Sequence, residues 1–193
     1  MIIRLEKKMS NKSLDQKLIS IGIPVYNGKK FITHAVDSII KQNYDNYEII
    51  ISEQNNNDNF QIACVENVGF KHAKYDTIVL QQVDYVPTDN VSYEVSNEPV
   101  LPARIATFVK DDMTERDYFD IPAGYRMFGE EVEKNFYGGV ISLTREMFLK
   151  INGLNPLYKG WGNEDEDLRE RLKWAGYNPI RNKVGNFICL YHE

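Results

Sequence analysis

Residues 17–51 run as an apolar stretch, an amphipathic helix pattern and a second apolar stretch, and this order constrains the fold more than any other feature of the chain. Residues 17–23 alternate and are rich in isoleucine, so they read as a strand that stops at Pro24. Within residues 28–42, Phe31, Ala35 and Ile39 share one spacing of four, and Ile32, Val36 and Ile40 share another. That pattern predicts a helix of about four turns with one apolar stripe. Residues 47–51 are almost continuously apolar, as expected of a strand in a parallel sheet covered on both faces. Strand, helix, strand makes a βαβ unit. The fold class is therefore α/β: a Rossmann-like domain with a mostly parallel central sheet flanked by helices.

The remaining pattern extends this unit. Residues 55–59 are a polar loop, 67–74 read as a short helix, and 77–83 as a third strand ending in Asp84. Residues 88–135 mix short apolar pieces with prolines and charges. One or two antiparallel strands are expected near 103–109, with loops elsewhere. After Gly138 and Gly139, residues 140–143 read as a strand and 144–152 as a helix closed by Gly153. Asn163 is expected to cap a further helix, with Glu166 completing a capping box, Leu168 and Leu172 facing the core, and Gly176 ending it. Residues 1–16 are polar and charged and read as a leader or a frayed arm, leaving 17–193 as one domain.

Composition narrows the classes. A chain of 193 residues buries a core without needing disulfides or a structural metal. No apolar run reaches the roughly 18 residues of a membrane-spanning helix, and the charged start is not a signal peptide. A net charge of -5 disfavours nucleic acid as a partner. The two cysteines, Cys64 and Cys189, form no CxxC pair, so a reducing cytoplasm is the expected location.

Four segments could carry chemistry. The turn Pro24-Val25-Tyr26-Asn27-Gly28 leaves the carboxyl end of the first strand, the edge where open α/β sheets bind ligands. It lacks the GxGxxG fingerprint of a dinucleotide site, and it also reads as a plain βα turn. In Gln82-Val83-Asp84-Tyr85, an acid ends a buried strand, where a carboxylate either holds a divalent cation or caps a turn. Four consecutive acids, Glu164 to Asp167, follow Gly160-Trp161-Gly162. Acids in a first turn complement the helix dipole, but that does not explain a tryptophan between two glycines. Aromatic rings stack on sugar C–H faces, and a carboxylate beside one can bind a hydroxyl or take its proton. Finally, Cys189 and His192 stand three apart, close enough to share a metal ion or simply to end the last strand and tail.

Taken in order, these segments resemble a GT-A-fold glycosyltransferase. The stretch from Ile21 to Gly28 with its helix, followed by Tyr47 to Ser52, resembles the large inverting family of bacterial polysaccharide synthases. Asn67 to Phe70, Val83 to Pro87, Tyr137 to Val140, Phe148 to Gly153, Gly160 to Gly162 with Glu164 and Asp165, and the closing His192 resemble the β-1,4-galactosyltransferases. The resemblance spans residues 19–192. It implies a hexosyltransferase that moves a hexose, galactose first, from a UDP-sugar to a carbohydrate acceptor with Mn²⁺ or Mg²⁺. Asp165 would be the base, Glu164 would hold the acceptor, and Trp161 would lie beside donor and acceptor. Asp84 and His192 would bind the metal, with Cys189 in the place of a usual methionine. Pro24, Val25, Tyr26, Glu53, Gln82, Val83, Arg126, Phe136, Gly138 and Gly139 would line the nucleotide-sugar site.

Three positions depart from that pattern. Gln82 replaces the first acid of the DXD motif, Cys189 is a softer ligand than methionine, and Ile62 stands where an arginine contacts nucleotide. Compared with the animal Golgi enzymes, the chain lacks their cysteines, stem and anchor, which points to the cytoplasm of a microbial or virus-infected cell. Two other classes stay open: a non-catalytic sugar-nucleotide or glycan-binding domain of the same fold, and a nucleotidyltransferase. The sequence does not identify the acceptor or the oligomeric state.

Overall fold

The computed structural model describes residues 1–7, 17–26, 28–42, 44, 46–54, 59–88, 91–108, 125–127, 136–160 and 162–190, with backbone alone at 29, 30, 105–108 and 125–127. The expected βαβ unit is present. Strand β2 (Ile19–Val25) leads into helix α1 (Lys29–Lys41), which returns to strand β3 (Tyr47–Glu53), parallel to β2 in register Ile21↔Ile49. Strand β4 (Thr77–Gln81) pairs parallel on the other side of β2, with Ile21↔Val79. Strand β9 (Val140–Thr144) joins β4 antiparallel. Strands β6 (Val100–Leu101) and β10 (Ile180–Arg181) complete the far edge.

At the near edge lies β1 (Ile2–Lys7), giving the order β1-β3-β2-β4-β9-β6-β10 among the described residues. Only β1 and β9 run against the other five, so the sheet is mostly parallel by direction. A second sheet orders β5 (Tyr85–Pro87), β11 (Asn186–Cys189), β7 (Arg104–Phe108) and β8 (Tyr125–Met127). The strand expected near 103–109 is β7.

Alternation along the strands separates two cores. Ile19, Ile21, Ile23, Ile49, Ile51 and Val79 face one side, packed with Ile39 of α1 and with Tyr93 and Phe187. Ile78, Leu80, Ile141 and Leu143 face the other side, packed with Ala63, Met147, Phe148, Leu168 and Leu172. These residues come from α2 (Ile62–His72), α3 (Arg145–Lys150) and α4 (Glu164–Trp174). Burial on both faces is why β3 and β4 read as continuous apolar runs.

Three local expectations are corrected. The arm is not frayed over its first residues, because 2–7 form the edge strand β1; residues 8–16 lie outside the described set. Glu48 is fully buried in β3, and a buried carboxylate needs compensation. Arg4 supplies it with an ion pair at 3.1 Å, while Ser20 Oγ at 2.7 Å and the Lys74 backbone N–H at 2.6 Å donate to the same carboxylate. The helix expected at 67–74 begins at Ile62 instead, where Gln54 Oε1 accepts the Gln61 N–H at 3.0 Å. Its early turns carry Cys64 and Glu66, which hid the apolar face from a periodicity reading. Asn163 does stand at the start of α4, but with φ 70° and no side-chain capping bond. Gly160 and Gly162 also have positive φ, which glycine adopts without the Cβ penalty.

Candidate active site

The turn after β4 meets the glycine pair before β9, and that pair meets the first turn of α4. At the end of β2, the Tyr26 and Phe60 rings stack with centroids 5.1 Å apart. Pro24 and Val25 are buried beneath them, and Gln54 N–H bonds the Val25 carbonyl at 3.1 Å. Glu53, half-buried, closes the same strand edge. A Cβ placed on Gly28 would meet Val83 Cγ1 at 3.0 Å, so the first βα turn packs directly on the residue before Asp84. The sequence-predicted Pro24, Val25, Tyr26, Glu53 and Val83 therefore share one sheet edge.

The Gln82–Asp84 turn is fixed at both ends. Gln82 N–H donates to the Gly139 carbonyl at 2.8 Å, and Leu190 N–H donates to the Asp84 carbonyl at 2.8 Å. Buried Gln81 braces the turn from below, its Nε2 donating to the Tyr85 carbonyl at 2.9 Å. The second bond places β11 beside the turn and puts Cys189 Sγ 3.5 Å from Asp84 Oδ2. Two of the expected metal ligands, 105 residues apart in sequence, are thus neighbours. Burial, and then the Asp84 charge, push the Cys189 thiol up to about 12.

One oxygen and one sulfur donor side by side suit Mn²⁺ better than Mg²⁺, which prefers oxygen alone. The third expected ligand, His192, lies outside the described residues, and no group of three such side chains converges among those described. Trp161 lies outside them too. Arg126 is on β8 opposite Thr107, which also pairs with Cys189, but nothing is described of its side chain.

The glycine pair is required by close packing. Gly139 has φ +84°, and a Cβ there would fall 2.3 Å from the Tyr85 ring. A Cβ on Gly138 would fall 2.4 Å from Asp165 Oδ2 and 3.0 Å from Phe136 Cζ. Asp165, Phe136 and the Gly138 backbone therefore converge on one point. Arg181 fixes the segment by donating to the Phe136 carbonyl.

The four acids of α4 divide by role. Asp167 pairs with Arg171 at 2.7 Å, and Arg171 also donates to the Ile151 and Gly153 carbonyls, so this acid is structural. Glu166 is exposed, and its N–H donates to Asp165 Oδ1 at 2.9 Å. Glu164 is buried, and its Oε2 has no hydrogen-bond partner. Its pKa is raised first by burial and then by the Asp165 charge, partly offset by backbone N–H groups. Glu164 and Asp165 line a narrow cleft with Gln82, Tyr137, Gly138 and Gly139.

Two contributors escaped the sequence reading. Tyr85 seats the glycine pair, and its hydroxyl is pushed up by burial and then by Cys189 and Asp84. Glu66 of α2 lines the same cleft and is buried. Burial, followed by the charges of Glu164 and Asp165, pushes its carboxyl up to about 8. The only signal was an acid amid an apolar helix stretch, which a surface position would explain equally well.

The profile described as Glycosyl transferase family 2 matches residues 20–67, and the one described as N-terminal domain of galactosyltransferase matches residues 124–193. Beta-1,4-galactosyltransferase 6 of Mus musculus is 32% identical over 185 residues, covering 91% of this chain and 44% of the relative. The chain thus spans less than half the length of such relatives. Among solved structures, Drosophila β1,4-galactosyltransferase 7, in a complex with manganese, UDP-Gal and xylobiose, has a TM-score of 0.69 at 24% identity, covering 92% of this chain and 72% of that one. A mannosyltransferase from Pyrobaculum calidifontis with GDP-Man and Mn²⁺ has a TM-score of 0.61 at 13% identity, with coverages of 91% and 57%. The fold is GT-A, as the sequence resemblance implied.

Proposed function

We propose, on the premise of a GT-A fold and a sequence similar to β-1,4-galactosyltransferases over 91% of its length, that the chain is an inverting UDP-sugar-dependent hexosyltransferase. Residues 17–193 are read as one catalytic unit acting in the cytoplasm. The donor is UDP-galactose, and the acceptor is a hydroxyl of a glycan or glycoconjugate. The observation that carries this reading is the convergence of Asp165 Oδ2, the Phe136 ring and the Gly138 backbone, beside a turn that holds Asp84 against Cys189.

The chain's own residues divide the work. The edge formed by Pro24, Val25, Tyr26 and Phe60 takes the nucleotide, with Tyr26 and Phe60 offering a stacked aromatic face. Glu164 accepts hydrogen bonds from acceptor hydroxyls. Asp165 takes the proton from the attacking hydroxyl as the new O–C1 bond forms. The bond from C1 to the diphosphate oxygen breaks on the opposite face, inverting the configuration. Asp84 and Cys189, with His192, would hold a divalent cation, which when bound offsets the charge growing on the departing diphosphate. Lewis-acid help of this kind is worth several kcal/mol.

The test is UDP release from a panel of UDP-sugars with Mn²⁺, for wild type and D165N. Transfer should fall by at least about 10²-fold in D165N, with UDP-sugar binding retained. Binding without turnover in wild type would favour a non-catalytic domain, and pyrophosphate release from a nucleoside triphosphate would favour a nucleotidyltransferase.

A further inference from the structure

Glu66 has no part in the chemistry so far described, yet it lines the acid cleft. We propose that Glu66 is a positioning residue of this site: as a neutral carboxylic acid, it donates its hydroxyl hydrogen to the Glu164 carboxylate and holds Glu164 ready to accept hydrogen bonds from an acceptor sugar. The inference rests on the transferase reading above.

Three observations carry it. Glu66 is 8% exposed and Glu164 7%, and both line one narrow cleft with Asp165. Glu164 Oε2 is buried without a partner, so a donor is missing at the place where the acceptor is expected. Third, no cation among the described residues offers compensation. Arg169 lies over the Tyr137 ring and beside Glu170, and Arg171 is spent on Asp167 and two carbonyls. No lysine, arginine or histidine lines the cleft among the described residues.

The titratable groups facing Glu66 are Glu164 and Asp165 from α4 and Tyr137 from the segment before β9, while β4 and the turn after it contribute only Leu80 and Gln82. Three carboxylates cannot all ionise cheaply in one narrow cleft, and Glu66 keeps its proton because, unlike Glu164, it has no backbone N–H to offset its burial. Its carboxyl is accordingly pushed up to about 8 by burial and by the Glu164 and Asp165 charges. A neutral carboxylic acid has one hydroxyl to give, and a neighbouring carboxylate is its strongest acceptor.

Raising the pH through about 8 should therefore remove this donor and place a third negative charge in the cleft. Acceptor binding would weaken and donor binding would not. The variants are E66Q, which keeps a neutral donor, and E66L, which keeps the volume and removes it. In full-length protein labelled with ¹³C at the glutamate carboxyl carbons, one resonance should titrate near pH 8 and be missing from both variants. The Glu164 resonance, assigned with E164Q, should move in E66L and be restored in E66Q. With UDP-galactose, Mn²⁺ and xylobiose as the acceptor probe, E66L should raise the xylobiose KM by about tenfold or more, the scale of one hydrogen bond to a charged group. E66Q should recover most of that loss at pH 7 and show no rise in KM above pH 8. A Glu66 resonance that titrates in the ordinary carboxylate range, or a Glu164 resonance indifferent to E66L, overturns the proposal. So does an identical KM–pH profile in wild type and E66Q. Wild type without transfer on any UDP-sugar refutes the transferase reading instead, and the resonances still decide the role of Glu66.

Discussion

Replacing Gly138 by alanine tests the placement of the base most directly. The new Cβ would stand 2.4 Å from Asp165 Oδ2 and 3.0 Å from Phe136 Cζ. Ordinary contact is about 3.5 Å, so Asp165 must retreat by roughly 1 Å. Gly138 is not among the positive-φ glycines, so its backbone accepts alanine without strain. Asp165 is half-buried, so its carboxylate can swing away at small cost to the fold. Alanine also stiffens the unfolded chain, which returns about 0.4–1 kcal/mol. Stability should therefore change by about 1 kcal/mol or less. A displacement of about 1 Å at a reacting group costs about 10²-fold in rate, or about 2.7 kcal/mol in the barrier.

G139A is the control. It meets the Tyr85 ring at 2.3 Å and carries φ +84°. It should lose about 1–2 kcal/mol from the backbone and a further 1–3 from overlap, and so unfold earlier. The assays are kcat for transfer from UDP-galactose, UDP affinity and thermal melting. The G138A/D165N double variant should be no slower than D165N alone, because both changes remove one function. G138A at wild-type kcat with an intact fold, or full additivity in the double variant, would refute the assignment of Asp165 as base.

The metal assignment predicts that D84N weakens Mn²⁺ and UDP binding together, read by calorimetry; C189S should weaken Mn²⁺ as well if its sulfur binds, and change only the melting temperature if it merely packs. The Phe136 ring stands at the point where Asp165 and Gly138 meet, so F136L should raise use of UDP-N-acetylgalactosamine relative to UDP-galactose by about ten- to a hundredfold, measured by competition. Glu66 sets a pH dependence of stability. Its folded pKa of about 8 lies above the ordinary 4.5, so its contribution is complete below pH 4.5 and is lost as pH rises through about 8. The loss is at most about 4–5 kcal/mol and is shared with Glu164 and Asp165; denaturant unfolding at pH 5 and pH 9 should show it in wild type and not in E66L.

The βαβ start was legible because its signal is local: a 3.6-residue stripe set between two apolar runs leaves few alternatives. The glycine pair, Asp84 and the acid run were legible as motifs for the same reason, since each lies within a few consecutive residues. Strand β1 was not legible. Its residues are half charged, and what docks it is Glu48, an acid buried more than 40 positions away that needs Arg4. A frayed arm and an edge strand look alike until the buried partner is known.

The acid run shows where local pattern ends and packing begins. Glu164, Asp165, Glu166 and Asp167 are interchangeable as helix-dipole partners, and the sequence orders them only by position. Their helical spacing separates them. One lines the cleft with a single oxygen unpartnered, one lies against Gly138, one faces solvent, and one is held by Arg171 a turn further on. The same geometry brings Glu66 from a different helix under the first two. Charge state then follows from burial, not from residue type. Burial and the neighbouring acids push the Glu66 carboxyl up, while backbone N–H groups partly offset the same effect at Glu164. Division of labour among like residues is thus a product of the fold, and it is the part of the site that a residue-by-residue reading could not reach.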